Sequence, residues 1–137
     1  MPAVSGVLET CLYAEDLDCL ASFYEELFGW QPMVADARLR AYGARKGSVL
    51  LLFKKGASRE GVGTPGGMIS PHDGVPGVHL AFSIAAEDWE PWKRHLETRG
   101  LAIERVIQWP RGGQSLYFRD PEGNLVELAT PGVWAVY

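Results

Sequence analysis

The sequence predicts an α+β fold made of two βαβββ modules, and two observations carry that prediction. One pattern occurs twice in nearly the same register, from Glu9 to Gly29 and again from His79 to Gly100: an alternating strand, an acidic residue, apolar residues at helical spacing, and a glycine stop. Each copy is then followed by three short extended segments separated by turn-forming residues.

In the first copy, Val7 to Tyr13 is extended, with Leu8 and Leu12 assigned to one face and Glu9, Cys11 and Tyr13 to the other. Asp16 is a helix cap ahead of Leu17, Leu20, Phe23, Tyr24, Leu27 and Phe28, and Gly29 ends the helix. Extended segments follow at Trp30–Val34, Arg38–Ala44 and Ser48–Phe53. Lys54 to Gly77 is rich in Gly, Pro and Ser without apolar period, so it reads as a long surface loop. Loops of that length in small domains are often functional. Met68, Ile69 and His72 are candidates for covering a pocket, and His72 otherwise reads as a solvated loop histidine.

The second copy begins with the alternating run Gly77–Ile84, places Asp88 before Trp89, Trp92 and Leu96, and ends its helix at Gly100. Ile103–Trp109, Gln114–Arg119 and Leu125–Thr130 are its three further strands, and Asp120-Pro121-Glu122-Gly123-Asn124 is a tight turn. The expected layout is one domain over 1–137, with modules at about 5–54 and 77–131 joined by a loop at about 55–76. Each module covers one sheet face with its helix. Two side by side form a curved mixed sheet whose bare faces converge on a central cup suited to a small molecule.

Composition narrows the function. The 137 residues are 47% hydrophobic and 22% charged, which suits a soluble globular chain. With 13 basic against 17 acidic residues, a net charge of −4 and no basic run beyond Lys54-Lys55, no nucleic-acid partner is expected. The longest apolar run, Val49–Phe53, is far short of the roughly 20 residues that span a bilayer, so no membrane partner is expected either. Met1 to Glu9 lacks the basic and apolar regions of a secretion signal, which points to the cytoplasm. Cys11 and Cys19 are then free thiols without assigned chemistry.

Glu9, His79 and Glu127 stand on the inner face, and Glu9 and His79 occupy equivalent positions of the repeat. Glu127 interrupts the apolar strand Leu125–Ala129, where a carboxylate is costly to bury unless paired or metal-bound. One imidazole and two carboxylates from three strands form a donor set for a divalent metal with positions left open for water or substrate. Alternation adds Tyr13, Cys11, Ser83, Ser115 and Tyr117 to the inner face. A phenol at Tyr117 can donate to a bound oxyanion, its bland alternative being a core tyrosine satisfied by backbone. Phe53, Trp109 and Trp134 are candidates for an apolar wall, and His95 has no assigned role.

Several motifs give the chain a resemblance to a known group: Glu9 seven positions before Asp16-Leu17, the helix end Phe23–Gly29, the strand Gly77–Phe82, and Tyr117-Phe118-Arg119-Asp120-Pro121-Glu122-Gly123-Asn124-Leu125-Val126-Glu127. Together they resemble the vicinal oxygen chelate superfamily, which contains glyoxalase I, bleomycin-resistance proteins, fosfomycin-resistance thiol transferases and extradiol dioxygenases. The resemblance implies metal ligands at Glu9, His79 and Glu127 and a divalent Mn, Ni, Co, Zn, Mg or Fe cofactor. A fourth ligand of the glyoxalase I type would correspond to Leu51, which cannot coordinate, so the three-ligand pattern is closer to the thiol-transferase and dioxygenase branches. Extradiol dioxygenases use two histidines and one carboxylate, whereas Glu9 stands here at the first ligand. Phosphonate recognition needs several cations, for which Arg40, Arg111 and Arg119 are the candidates, and Arg119 is expected at the turn.

The implied activity is a metal-dependent glyoxalase-like lyase, isomerase or epimerase acting on a small substrate with vicinal oxygens, with Glu9, Glu127 and Tyr117 catalytic and Tyr13, Phe53, Ser83, Trp109 and Ser115 lining the substrate. The alternatives are a metal-free sequestering protein of the bleomycin-resistance type and, third, an extradiol-type dioxygenase. A homodimer is the expected assembly, because eight strands leave edges that a two-fold partner covers.

Overall fold

The alternation near the start of the chain becomes strand β1 (Glu9–Ala14) in the computed structural model of the protein, which describes residues 1–137. Leu12 and Ala14 are buried, while Glu9 and Cys11 stay exposed on the opposite face, as the period of two requires. Leu8, assigned to the buried face, precedes the strand and is exposed. Helix α1 (Leu17–Phe28) starts where Asp16 accepts the Cys19 backbone N–H on its side chain and stops at Gly29, whose φ of 69° is left-handed and free of cost only for glycine. Leu17, Leu20, Ala21, Tyr24 and Leu27 form its buried stripe.

Strands β2 (Val34–Ala35), β3 (Leu39–Arg45) and β4 (Ser48–Lys54) follow. The sheet order is β1-β4-β3-β2, with β1 parallel to β4 and the other pairs antiparallel. Leu12, Leu50, Leu52 and Tyr42 join the helix stripe in the core. The expected strand over Trp30–Val34 shrinks to β2, because Trp30 is drawn into an aromatic stack with Phe28 at 4.5 Å and Tyr42 at 6.0 Å. The glycine-rich loop is also more ordered than expected. It carries a two-stranded hairpin of β5 (Val62–Thr64) and β6 (Gly67–Ile69), with the Thr64 hydroxyl donating to Gly67 O at 2.7 Å.

The second unit repeats this plan with β7 (His79–Ser83), α2 (Trp89–Thr98), β8 (Arg105–Gln108), β9 (Gln114–Arg119) and β10 (Leu125–Ala129). Its sheet order is β7-β10-β9-β8, again with first and last strands parallel. The chain divides at Pro76/Gly77 into these two compact units. Leu80, Leu116, Phe118, Val126 and Leu128 share the buried sheet face, and α2 adds Trp89 and Leu96 to the core. Asp88 stands just before α2 but makes no side-chain capping bond. Its φ of −86° and ψ of −1° belong to the short 3-10 turn Ala86–Asp88 that leads directly into α2, and a cap needs extended backbone. No helix is long and apolar enough to cross a membrane.

Tyr42 is fully buried and donates to Glu25 Oε1 at 2.7 Å; burial first, then the bond to and charge of Glu25, hold its phenol well above the ordinary range. A group whose folded pKa is raised contributes its stability below the unfolded value, about 10 for tyrosine, and loses it as pH climbs toward the folded value. Stability is therefore expected to decline above about pH 10. Tyr42→Phe removes this titration and the bond to Glu25, costing about 1 kcal/mol at neutral pH, and thermal unfolding between pH 8 and pH 11.5 should show a flatter alkaline decline in the variant.

Candidate functional site

In the second unit the parallel pairing of β7 and β10 places Leu125 opposite His79 and Glu127 opposite Ala81. The His79 ring Nδ1 lies 2.9 Å from Leu125 O. A carbonyl oxygen only accepts, so Nδ1 carries a proton and Nε2 is the nitrogen turned toward Glu127. That Nε2 stands 3.2 Å from Glu127 Oε2, with the histidine side chain 50% exposed and the carboxylate side chain only 9%. The imidazole is the open side of the pair, and the carboxylate is its buried floor.

Tyr117 lies directly across from Glu127 on β9, its ring centroid 6.2 Å from that of His79. Burial raises its phenol pKa, opposed by a hydrogen bond with Ser115 and reinforced by the charge of, and hydrogen bond to, Glu127. Trp109 Nε1 in turn donates to Ser115 Oγ at 2.8 Å. The Trp109–Ser115 bond backs the strand that carries Tyr117, and burial favours the neutral phenol. Ser115, expected to line the substrate, has no exposed surface and accepts the Trp109 indole N–H, while the Trp109 side chain itself is half-buried. Ser83 is exposed at the end of β7, in register with Ala129.

In the first unit Glu9 is exposed at the start of β1, and Cys11 follows on the same face with its thiol pushed up by burial and then by the Glu9 charge. Tyr13 pairs with Phe53 across β1 and β4, and their rings stack at 5.7 Å. The 55–76 loop folds back onto them. His72 Nδ1 lies 2.7 Å from the Tyr13 hydroxyl, its ring meets Phe53 edge-on at 4.7 Å, and Arg38 stacks on Phe53 at 5.4 Å while donating to Ser58 Oγ. Gly74 lies so close to the Tyr13 ring that an added Cβ would sit 2.4 Å from Tyr13 Cδ2. Asp73 secures the loop by accepting from Gly56 N at 3.0 Å and pairing with Arg59; these contacts lower its pKa to about 2. Phe53 is thus roofed by the chain itself, 5% exposed, and is not an open wall; His72 is a loop anchor, not a solvated residue.

Three comparisons with known proteins bear on this geometry. The family profile described as "Glyoxalase/Bleomycin resistance protein/Dioxygenase superfamily" matches residues 6–128. The chain belongs to that superfamily. Within it, the chain is 30% identical over 134 residues to the metallothiol transferase FosB of Bacillus licheniformis, covering 96% of this chain and 79% of that protein. It is 44% identical to the glutathione transferase FosA of Serratia marcescens over 51 residues, 37% of this chain and 35% of that one. Among solved structures, the lactoylglutathione lyase of Agrobacterium tumefaciens superposes with a TM-score of 0.87 at 30% identity, covering 98% of this chain and 99% of that one.

The donors of this superfamily chain fit a divalent metal at two positions. With metal–nitrogen and metal–oxygen bonds of about 2.0–2.2 Å, two donors on neighbouring positions of one ion stand roughly 3.0–3.5 Å apart. The 3.2 Å between His79 Nε2 and Glu127 Oε2 falls in that range. A carboxylate oxygen and an imidazole nitrogen at this separation are two donors that one divalent ion can share. The Nδ1–H bond to Leu125 O is also the outer contact that a metal-binding histidine uses to fix its ring. No three His, Cys, Asp or Glu side chains of the chain stand together within metal-binding reach. Arg40 pairs with Asp18, and Arg119 bonds Glu104 and Gly123 O, so both of these cations serve the scaffold.

Sequence reasoning missed Asn124, Arg38 and the contact of His72 with Tyr13. Asn124 was visible only as the end of a turn, and Arg38 carried no signal because its contacts come from a distant loop.

Proposed function

We propose that the protein is a metal-dependent, glyoxalase-like enzyme that binds a small substrate through two neighbouring oxygens and catalyses lyase, isomerase or epimerase chemistry. One observation carries the reading: His79 Nε2 and Glu127 Oε2 face each other at 3.2 Å with the other ring nitrogen fixed by Leu125 O. Glu9, the counterpart of His79 in the repeat, is the third donor. A divalent ion held there polarises the substrate oxygens and stabilises the negative charge that develops on them. Glu9 and Glu127 take and return the proton, and Tyr117, kept protonated by its burial, donates a hydrogen bond to the developing oxyanion. Ser83, exposed on the strand of His79, contacts the substrate, and Tyr13 and Phe53 enter the reading as the loop's seat.

Three relatives bear names that specify thiols, namely metallothiol transferase, glutathione transferase and lactoylglutathione lyase. That supports a thiol as a reactant or as part of the substrate. The assembly in this reading is a homodimer, favoured by edge strand β8 with Val106 and Ile107 exposed, and the compartment is the cytoplasm.

The test offers metal-loaded protein a 2-oxoaldehyde hemithioacetal, an acyl thioester with an exchangeable α-proton, and a catechol. The reading expects isomerisation or solvent-proton exchange with one of the first two, reduced about 10²–10⁴-fold in Glu9→Gln. Oxygen uptake with the catechol alone would overturn it in favour of ring cleavage.

A further inference from the structure

We propose that Asn124 is the positioning residue of His79, holding the histidine's strand so that Nε2 stays aimed at the Glu127 carboxylate. The inference rests on the metal reading above and deepens it.

Asn124 has no exposed surface, and its side chain spans two elements. On one side Oδ1 accepts from the backbone N–H groups of Gly77 at 2.8 Å and Val78 at 3.1 Å, the two residues just before His79. On the other side Nδ2 donates to Asp120 Oδ2 at 2.8 Å, while the Asn124 N–H and the Glu122 N–H both donate to Asp120 Oδ1 at 3.0 Å. The next residue completes the clamp, because Leu125 N donates to Val78 O at 2.8 Å and Leu125 O takes the His79 ring N–H.

The clamp sits where it is needed. His79 is the first residue of β7, which lies at the sheet edge and pairs only with β10. Strand ends on a sheet edge fray readily, and Gly77, with a φ of 95°, gives the incoming chain a pivot that other residues would resist. A turn asparagine with only a turn role would bond within its own turn. Asn124 Oδ1 instead bonds residues 46 and 47 positions away. Losing it frees the two N–H groups ahead of His79, and the imidazole then drifts from the carboxylate that it must share an ion with.

Two variants test this. Asn124→Ala removes the clamp, and the swap Asp120→Asn with Asn124→Asp preserves every bond with donor and acceptor exchanged. Two readouts are taken: the ring ¹⁵N signals of His79 in metal-free protein at about pH 9, where histidine is generally neutral, and Co²⁺ affinity from its visible absorption. The parent should show a single Nδ1–H form. Asn124→Ala should show mixed tautomers and a roughly 10–100-fold weaker Co²⁺ affinity, and the swap should restore both. A folded Asn124→Ala with unchanged His79 signals and affinity would overturn the proposal. Should Asn124→Ala fail to fold, the swap decides alone, and a swapped protein that has lost the single His79 form overturns it. A parent with the single Nδ1–H form that takes up no Co²⁺ would sink the metal reading and leave the positioning role standing.

Discussion

Replacing Glu127 by alanine is expected to lower the affinity for Co²⁺ or Mn²⁺ by more than about 100-fold, since loss of an outer-shell partner alone costs 10–100-fold. The carboxylate is the buried member of the His79–Glu127 pair and brings that pair its negative charge. Stability gives an independent sign. A ligand that binds only the folded state stabilises by RT ln(1 + [L]/Kd), about 2.7 kcal/mol at a hundredfold excess over Kd. Metal should therefore raise the Tm of the parent and leave that of Glu127→Ala unmoved. Calorimetric titration and thermal unfolding with and without chelator check both statements. A variant that binds metal like the parent would remove Glu127 from the site.

Phe118→Ala is expected to cost about 3–5 kcal/mol, a large share of the 5–15 kcal/mol by which such domains are stable. Phe118 is fully buried in β9, opposite Val126 of β10, on the face that packs Leu80, Leu116 and Leu128. The residue next to it is Tyr117, so a collapse around the cavity also disturbs the register that puts the phenol across from Glu127. Val136→Ala, exposed near the C-terminus, should cost no more than about 0.5 kcal/mol. Urea unfolding of both variants measures the contrast. Similar losses in the two would contradict the placement of the core.

Both modules were legible because their apolar periods coincide with burial: Leu12 and Ala14 in β1, the Leu17–Leu27 stripe in α1, Val126 and Leu128 in β10. Asp16 and Gly29 work at the helix ends by the chemistry that made them readable. The β5–β6 hairpin was hidden because most of its residues are exposed, so it leaves no alternation. Asp88 repeats the position of Asp16 without its capping bond, because capping depends on backbone conformation, which residue identity does not determine.

The candidate site was legible as residue types and faces, and only in part as contacts. Glu127 stood out as a carboxylate in an apolar strand. Its 3.2 Å approach to His79 depends on the register between β7 and β10, strands some 46 residues apart, which alternation within either strand does not encode. The same holds for the Trp109–Ser115 bond and the Asn124 clamp. Each joins residues whose partners are chosen by the folded chain.

The most direct test of the central claim is the divalent-metal content of protein purified without added metal or chelator, followed by titration with Mn²⁺, Co²⁺, Ni²⁺, Zn²⁺ and Fe²⁺. The account predicts near-stoichiometric metal per chain, lost in His79→Ala. A parent that carries none and takes up none of the five would contradict the metal-dependent mechanism and favour a protein that sequesters its ligand without metal.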